Sequence, residues 1–381
     1  MNYLQRPATG GQTIVCSRCV MDTSDPAISF DENGVCSRCH AADIQLQRVR
    51  LSPEESERRL AEAAAEISRA KTKDGYDSIV GLSGGVDSSY TALLAHKLGL
   101  RPLAVHLDNG WDSETAVSNI RGVAERCGID LVTLVIDWPE FRDLQRAFFK
   151  AGVIDIELLT DQAIVATMFR LCREHGCRYI LSGTNVATEH GVPGEWAWNK
   201  QDLTNIRAIH RQFGSIPLRT FPTMGLWSTI FQRYMGLGPK FVELLNMANY
   251  RKLDAIEELK RETGWRDYGG KHYESIFTKF YQAYILPTKF GVDKRRAHLS
   301  ALIRNGEIQR NEAVAALKKP LYDPDELRRD KEFIIKKLGF TETEFDQMMR
   351  EPPVPHDRYR SDRPIREILK RVARLTFYRG S

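Results

Sequence analysis

The feature that most constrains this chain is a glycine-serine loop set between an apolar strand and a helix. Ile79-Val80-Gly81-Leu82 runs directly into Ser83-Gly84-Gly85-Val86-Asp87-Ser88-Ser89. Two adjacent glycines open backbone dihedrals that other residues avoid and let N–H groups approach a phosphate closely. The N-terminus of the following helix adds its dipole and free donors, and Ser83, Ser88 and Ser89 add hydroxyls. Asp87, beside a polyphosphate, would be repelled unless it holds Mg²⁺ or caps the helix. No lysine stands where a Walker A loop requires one, so that scheme is excluded. The plainer alternative is an ordinary strand–turn–helix corner with Gly and Ser as turn residues.

The surroundings favour the phosphate reading. Strands are expected over Asp77–Leu82, Leu103–Asp108, Leu131–Asp137 and Tyr179–Ser182, with helices over Ser88–Leu98, Ser113–Cys127 and Asp161–His175 between them. Strands alternating with helices at this spacing make βαβ units on a parallel sheet. Ligands of such sheets sit beyond the carboxyl ends of the strands, which directs attention to Ser83, Asp108 and Gly183 and the residues after each. The stretch from His190 to Phe231 reads as irregular. Beyond it the pattern is mostly helical: 239–264, 273–284, 295–303, 310–317, 324–338 and 364–377. A further helix after Ser52 carries Pro53 in its first turn and Glu55 where a capping box would close.

Four of the seven cysteines form two C-x-x-C pairs, Cys16/Cys19 and Cys36/Cys39, separated by sixteen residues. That is zinc-ribbon spacing, and four thiolates would fill a tetrahedral sphere and leave no open position, as in a structural site. An iron–sulfur cluster is the rival occupant, since four cysteines bind both. Cys127, Cys172 and Cys177 are scattered. The formal charge of +5 on 381 residues is mildly basic and well short of a polycationic nucleic-acid binder. No run of about 18 apolar residues suggests a membrane span, and the first residues lack a secretory pattern, so a cytoplasmic protein is expected.

The S-G-G-x-D-S-S string resembles the signature of the PP-loop ATP pyrophosphatase superfamily. The resemblance implies an α/β fold with a Rossmann-like parallel sheet of the adenine nucleotide alpha hydrolase (PP-loop) type. It also implies cleavage of ATP between the α and β phosphates, with Mg²⁺. Asp108 then falls where the superfamily contacts adenosine, and Gly183, Thr184 and Asn185 fall near the α-phosphate. The expected organisation is a zinc-knuckle module (1–50), a PP-loop domain (51–235) and a helical C-terminal region (236–381).

A closer resemblance rests on Cys16 to Pro26, the second knuckle, the loop, and the run Leu286-Pro287-Thr288-Lys289-Phe290-Gly291-Val292-Asp293-Lys294-Arg295-Arg296-Ala297-His298. These resemble N-acetyl sugar amidotransferases of surface-polysaccharide (LPS O-antigen) biosynthesis. The resemblance implies that the acetamido oxygen of a nucleotide-linked N-acetyl sugar is adenylylated and replaced by ammonia, giving an acetamidino sugar. Asp87 and Ser89 are then catalytic candidates, and Lys289 or Lys294 the expected phosphate-contacting lysine. Trp198 and Asn199 are candidates for the sugar pocket. Position 2 is Asn2, and no remaining cysteine sits in a glutaminase elbow, so ammonia is expected from a separate glutaminase subunit. Nucleic acid is not an expected partner. The alternatives are a tRNA-thiolating enzyme, which would need catalytic cysteines, and a non-catalytic assembly protein.

Overall fold

The computed structural model describes residues 13–234, 236, 238–269 and 273–378; the first twelve residues, Asn2 among them, lie outside these. Its centre is a five-stranded parallel sheet: β1 (Ser78–Gly81), β2 (Pro102–Asp108), β3 (Leu131–Val135), β4 (Tyr179–Leu181) and β5 (Lys240–Val242). The spatial order is β3-β2-β1-β4-β5. The chain therefore builds outward from β1 in one direction and then returns to place β4 on its other side. The crevice between the ends of β1 and β4 is the switch point where such sheets bind ligands.

The centre of β1, Ile79 and Val80, is apolar because both faces of the strand are covered. Ile79 packs with Met168, Leu171 and Cys172 on one side. Val80 packs on the other with Leu93 and Leu259. This alternation over two buried faces is what a central parallel strand requires.

Ahead of the sheet lie α1 (Ser37–Val49) and α2 (Pro53–Ser68). The sheet connections are α3 (Val86–Lys97), α4 (Glu114–Cys127), α5 (Trp138–Ala151), α6 (Leu158–His175), α7 (Val186–Glu189), α8 (Leu203–Phe213) and α9 (Leu226–Tyr234). After β5 come α10 (Lys252–Thr263) and α11 (Ile276–Phe280), then a π-helical stretch, Tyr281–Phe290. α12 (Arg295–Arg304), α13 (Arg310–Lys318), α14 (Pro324–Leu338), α15 (Glu342–Arg350) and α16 (Arg363–Tyr378) complete the chain. Among the described residues no helix is long and apolar enough to cross a membrane.

Several local expectations change. Ser52 caps α2 by accepting from the Glu55 N–H, but the Glu55 carboxylate turns to Arg58 and Arg59 instead of closing a box. The stretch read as irregular holds α8, which buries Leu203, Ile206 and Ile209 along one face. The start of the expected helix at 239–264 is instead β5, whose Phe241 pairs with Ile180. β5 lies beside β4, and α10 packs against the Val80 face of the sheet through Ala255 and Leu259. The cysteine knuckles dock on α12 and the start of α13: Arg310 of α13 donates to the Cys19 and Cys16 carbonyls, and Arg296 of α12 to that of Val20.

One buried histidine ties the C-terminal region to the core. His356 Nε2 accepts the Asp155 backbone N–H at 3.2 Å, and its Nδ1 lies 2.8 Å from Asn205 Oδ1. A ring nitrogen that accepts carries no proton, so the ring is neutral, and burial pushes its pKa down to about 4. An unfolded chain takes up this proton near pH 6.5, whereas the folded one resists until about pH 4. Stability is therefore complete above about pH 6.5 and is lost as pH falls, by about 3 kcal/mol in total. Denaturant melts from pH 7 to 4.5 should show this decline, and His356→Gln should flatten it. An unchanged slope in the variant would remove His356 as the cause.

Candidate active site

The glycine-serine loop leaves β1 at the switch point and turns into α3. Gly84 has φ +79°, and a Cβ there would stand 2.6 Å from the Ala116 carbonyl oxygen, so neither the conformation nor the space admits another residue. The Gly84 carbonyl is held by the Trp265 indole at 2.9 Å and the Asn119 amide at 3.4 Å. Ser83 and Ser88 hydroxyls lie 3.0 Å apart, and Ser83 Oγ also accepts the Gly85 N–H. The Val86 N–H donates to the Tyr268 hydroxyl at 3.2 Å. The loop is thus braced from α4 and from the segment after α10. Gly183, at the end of β4, lies against it: a Cβ there would meet the Ser88 backbone nitrogen at 3.1 Å.

This loop forms one end of a cavity of about 330 Å³. Gly81, Val105, Leu107, Ile164 and Met168 give it an apolar slot between the strand ends and α6. Ser83, Gly85, Asp87, Ser88 and Gly183 give it a polar end. The combination suits a nucleotide, with base in the slot and phosphates at the loop. Asp87 Oδ1 accepts from the Tyr250 hydroxyl at 2.6 Å, which fixes the carboxylate in the first turn of α3.

The third wall comes from far along the chain. Asp112 and Ser275 form an antiparallel bridge, and the Ser113 N–H donates to the Glu274 carbonyl. This seam brings Glu274, Ser275 and Thr278 into the cavity beside Glu157, His106 and Asp112. His106 Nε2 lies 3.1 Å from Asp112 Oδ2. Burial opposes the charged imidazole, but the Asp112 carboxylate outweighs it and holds the pKa above its ordinary value. Glu157 accepts from Thr278 Oγ1 at 2.9 Å. Burial first, then the charge of Asp161, pushes its carboxyl up to about 7.

Not every candidate residue reaches the cavity. Ser89 is fully buried under the loop, and its hydroxyl has no hydrogen-bond partner among the described residues. Asp108 turns to the Gly110 N–H, and the neighbouring Asn109 lines the cavity in its place. Thr184 and Asn185 follow Gly183 away from it; Asn185 caps α7 through the Thr188 N–H. Lys289 binds the backbone carbonyls of Met348 and Glu351 and stands outside the cavity. Lys294 is half-buried over the Tyr281 ring at 5.7 Å, and desolvation lowers its pKa while Asp155 and Glu157 act against this. Trp198 stacks on His356 at 5.0 Å and donates to Asp202, and Asn199 binds the Gln201 N–H. This segment reaches the cavity wall through Lys200, which bridges Asp155 and Asp161. Tyr250, Trp265, Tyr268, Glu274, Glu157 and Thr278 carry no local motif, and only the fold brings them to the loop.

The four cysteine sulfurs lie within 4.8 Å of one another and are fully buried. Cys19 and Cys36 Sγ are 3.7 Å apart, and Cys16 and Cys39 Sγ 3.9 Å. A tetrahedral ion with metal–sulfur bonds of about 2.3 Å sets its sulfurs about 3.8 Å apart, so the cluster fits a single ion and is compatible with zinc. The buried Arg304 guanidinium donates to Cys39 and Cys19 Sγ at 3.3 and 3.4 Å, opposing the charge that four thiolates would carry.

Sheet order, loop and cavity together resemble those of the PP-loop ATP pyrophosphatase superfamily. Residues 274–375 match the family described as LPS biosynthesis protein WbpG-like, C-terminal domain. One of the subunits of a GMP synthase (glutamine-hydrolyzing) of Archaeoglobus fulgidus is 34% identical over 132 residues, 33% of this chain and 40% of that protein. A GMP synthase (glutamine-hydrolyzing) of Petrotoga mobilis is 24% identical over 263 residues, 60% of this chain and 48% of that one. The chain thus spans less than half the length of these two relatives. Among solved structures, NAD⁺ synthetase from Burkholderia pseudomallei aligns at 17% identity and TM-score 0.30, covering 60% of this chain and 99% of that one. The resemblances to the PP-loop superfamily and to surface-polysaccharide enzymes are borne out, and Leu286–His298 lies inside the matched C-terminal segment.

Proposed function

We propose that this chain is an ATP-dependent amidotransferase of lipopolysaccharide biosynthesis that converts the acetamido group of a nucleotide-linked N-acetyl sugar into an acetamidine. The observation that carries the reading is the composition of the cavity. Its phosphate end is the loop at the switch point, and the opening of the WbpG-like segment, Glu274 to Thr278, supplies another wall, running from the loop at Glu274 to Glu157 at Thr278. Nucleotide and acceptor would meet where the two parts join.

An amide carbonyl is a poor electrophile, and its oxygen cannot leave unaided. Attack of that oxygen on the α-phosphate of ATP, with loss of the amide N–H proton to solvent, gives a neutral O-adenylyl imidate and pyrophosphate; ammonia then displaces AMP. The loop N–H groups and the Ser83 and Ser88 hydroxyls would hold the departing pyrophosphate. Asp87 offers the hard oxygen ligand that Mg²⁺ takes, and the ion would offset charge on the phosphates. Zn²⁺ in the cysteine site would hold the N-terminal module on α12.

The remaining cysteines support an outside source of ammonia. Cys127, Cys172 and Cys177 are all buried, and burial pushes the Cys127 and Cys177 thiols up to about 11 and Cys172 higher still. None is suited to be the thiolate nucleophile that glutamine hydrolysis or tRNA thiolation needs. A separate glutaminase subunit fits the name of the Archaeoglobus relative, which is itself one subunit of a glutamine-hydrolysing enzyme.

The test incubates the purified chain with Mg²⁺-ATP, ammonium and a panel of UDP-linked N-acetyl sugars, uronic acids included, and follows nucleotides and sugars by mass spectrometry. The expected result is AMP together with a sugar product in which one oxygen is replaced by an imino group. AMP without a sugar product would reopen the acceptor. ADP alone, or no turnover with any acceptor, would favour an assembly protein.

A further inference from the structure

The chemistry above leaves one proton without an owner. Ammonia becomes a cationic nitrogen when it bonds to the imidate carbon, and that nitrogen must lose a proton before AMP can depart cleanly. We propose that Glu157 takes this proton and is the general base of the amination half-reaction. The inference rests on the amidotransferase reading of the site.

Position separates Glu157 from four of the other five cavity carboxylates, Asp87, Glu274, Asp112 and Asp161; the fifth, Glu189, is the last residue of α7. Asp87 is bound by Tyr250 in the loop itself. Glu274 lies over the loop, its Oε1 3.3 Å from where a Gly85 Cβ would stand, at the phosphate end. Asp112 holds His106, and Asp161 is neutralised by Lys200 at 3.0 Å. Glu157 stands one residue ahead of α6, lines the cavity, and accepts from a neutral hydroxyl, that of Thr278. Thr278 belongs to the WbpG-like segment, so the part of the chain matched to LPS biosynthesis aims this carboxylate.

The groups around Glu157 set its basicity. Asp161 faces it from α6, Lys294 from the turn after the π-helical stretch, and Lys200 from the segment before α8. Burial and Asp161 raise its pKa, and Thr278, Lys294 and Lys200 restrain the rise, so it settles at about 7. A base near neutrality is ionised often enough to act and strong enough to take a proton.

The step balances. The ammonia lone pair forms the C–N bond while the C=N π pair withdraws to the sugar-bound nitrogen. One proton moves from the new nitrogen to a Glu157 carboxylate oxygen, and Glu157 returns it to the sugar-bound nitrogen. The new nitrogen's lone pair then forms C=N as the C–O bond breaks and its pair leaves with AMP. The product is an amidinium, and Glu157 ends ionised.

The experiment separates the half-reactions, using the UDP-linked N-acetyl sugar that gives most AMP with the wild-type chain. Pyrophosphate–ATP exchange without ammonia reports adenylylation; amidine formation at constant free ammonia reports amination. Glu157→Gln should lower amination about 100-fold or more while exchange falls a few-fold at most. Wild-type amination should rise through about pH 7 and level off, and the variant's profile should be flat. Glu157→Asp, which keeps the base but shortens it, should recover part of the rate and the pH dependence, with melting temperature checking the fold of both. Amination by Glu157→Gln at the wild-type rate, or equal loss of exchange and amination, would overturn the role of Glu157 alone. A wild-type chain that forms AMP on no N-acetyl sugar would overturn the amidotransferase reading and this inference with it.

Discussion

Replacing Asp87 by alanine should lower AMP formation by about 100-fold or more while the protein stays folded. The carboxylate stands in the first turn of α3, lines the cavity beside the loop, and is held by the Tyr250 hydroxyl at 2.6 Å. That bond makes the carboxylate a fixed oxygen ligand at the phosphate end. Its loss removes the expected Mg²⁺ contact just where charge builds as the α–β bond breaks. The cost to folding is smaller: the Tyr250 hydroxyl loses its acceptor, worth about 1–3 kcal/mol. Asp87→Asn keeps shape and an acceptor for Tyr250 but removes the charge. It should match the alanine variant in turnover while melting closer to the wild type. Quenched-flow or steady-state AMP assays read the first effect and calorimetry the second. Wild-type turnover in either variant would remove the loop carboxylate from the mechanism.

Removing the metal should have the largest effect on stability. The sulfurs of Cys16, Cys19, Cys36 and Cys39 are fully buried, and the knuckles they shape sit directly on α12 through Arg296 and Arg304. Without an ion, four thiols crowd within 4.8 Å, and Arg304, 2% exposed, faces them with no formal counter-charge. A buried cation stripped of its partner costs about 3–5 kcal/mol on its own, and the lost metal–thiolate bonds add to this. Cys19→Ser, or chelation under mild denaturant, should therefore lower the melting temperature sharply and release one equivalent of metal. Elemental analysis identifies the ion and checks the single-ion geometry. A metal-free chain with unchanged melting would show that α12 seats the knuckles unaided.

The sequence was most informative where a local pattern carries the physics. β1, β2 and β4 and the helices after them were legible because apolar runs, caps and glycine stops repeat at the βαβ period. Gly84 and Gly85 announced a backbone that only glycine permits. The cysteine pairs announced a tetrahedral site through spacing alone. Tyr250, Trp265 and Tyr268 were not legible: each braces a loop more than 160 residues upstream, and no spacing records such a contact. β5 is three residues long and sits ahead of a long amphipathic helix, so the helical period masked it. Trp198 drew attention as a candidate for the sugar pocket, yet its ring stacks on His356. α5 announced itself through Asp137 and Pro139, a cap and a first-turn proline, and is legible in retrospect.

The bridge between Asp112 and Ser275 has a consequence for how such a chain can be recombined. Domains are ordinarily exchangeable where few contacts cross the junction. Here the natural cut, just ahead of Glu274, passes through the cavity wall, and the partners of the severed seam, Trp111 and Ser113, lie on the other side of it. A nucleotide domain grafted to a foreign C-terminal segment would inherit half a pocket. The loop after β2 and the segment after α10 must therefore change together, so the shape of this cavity is written across the joint rather than within either piece.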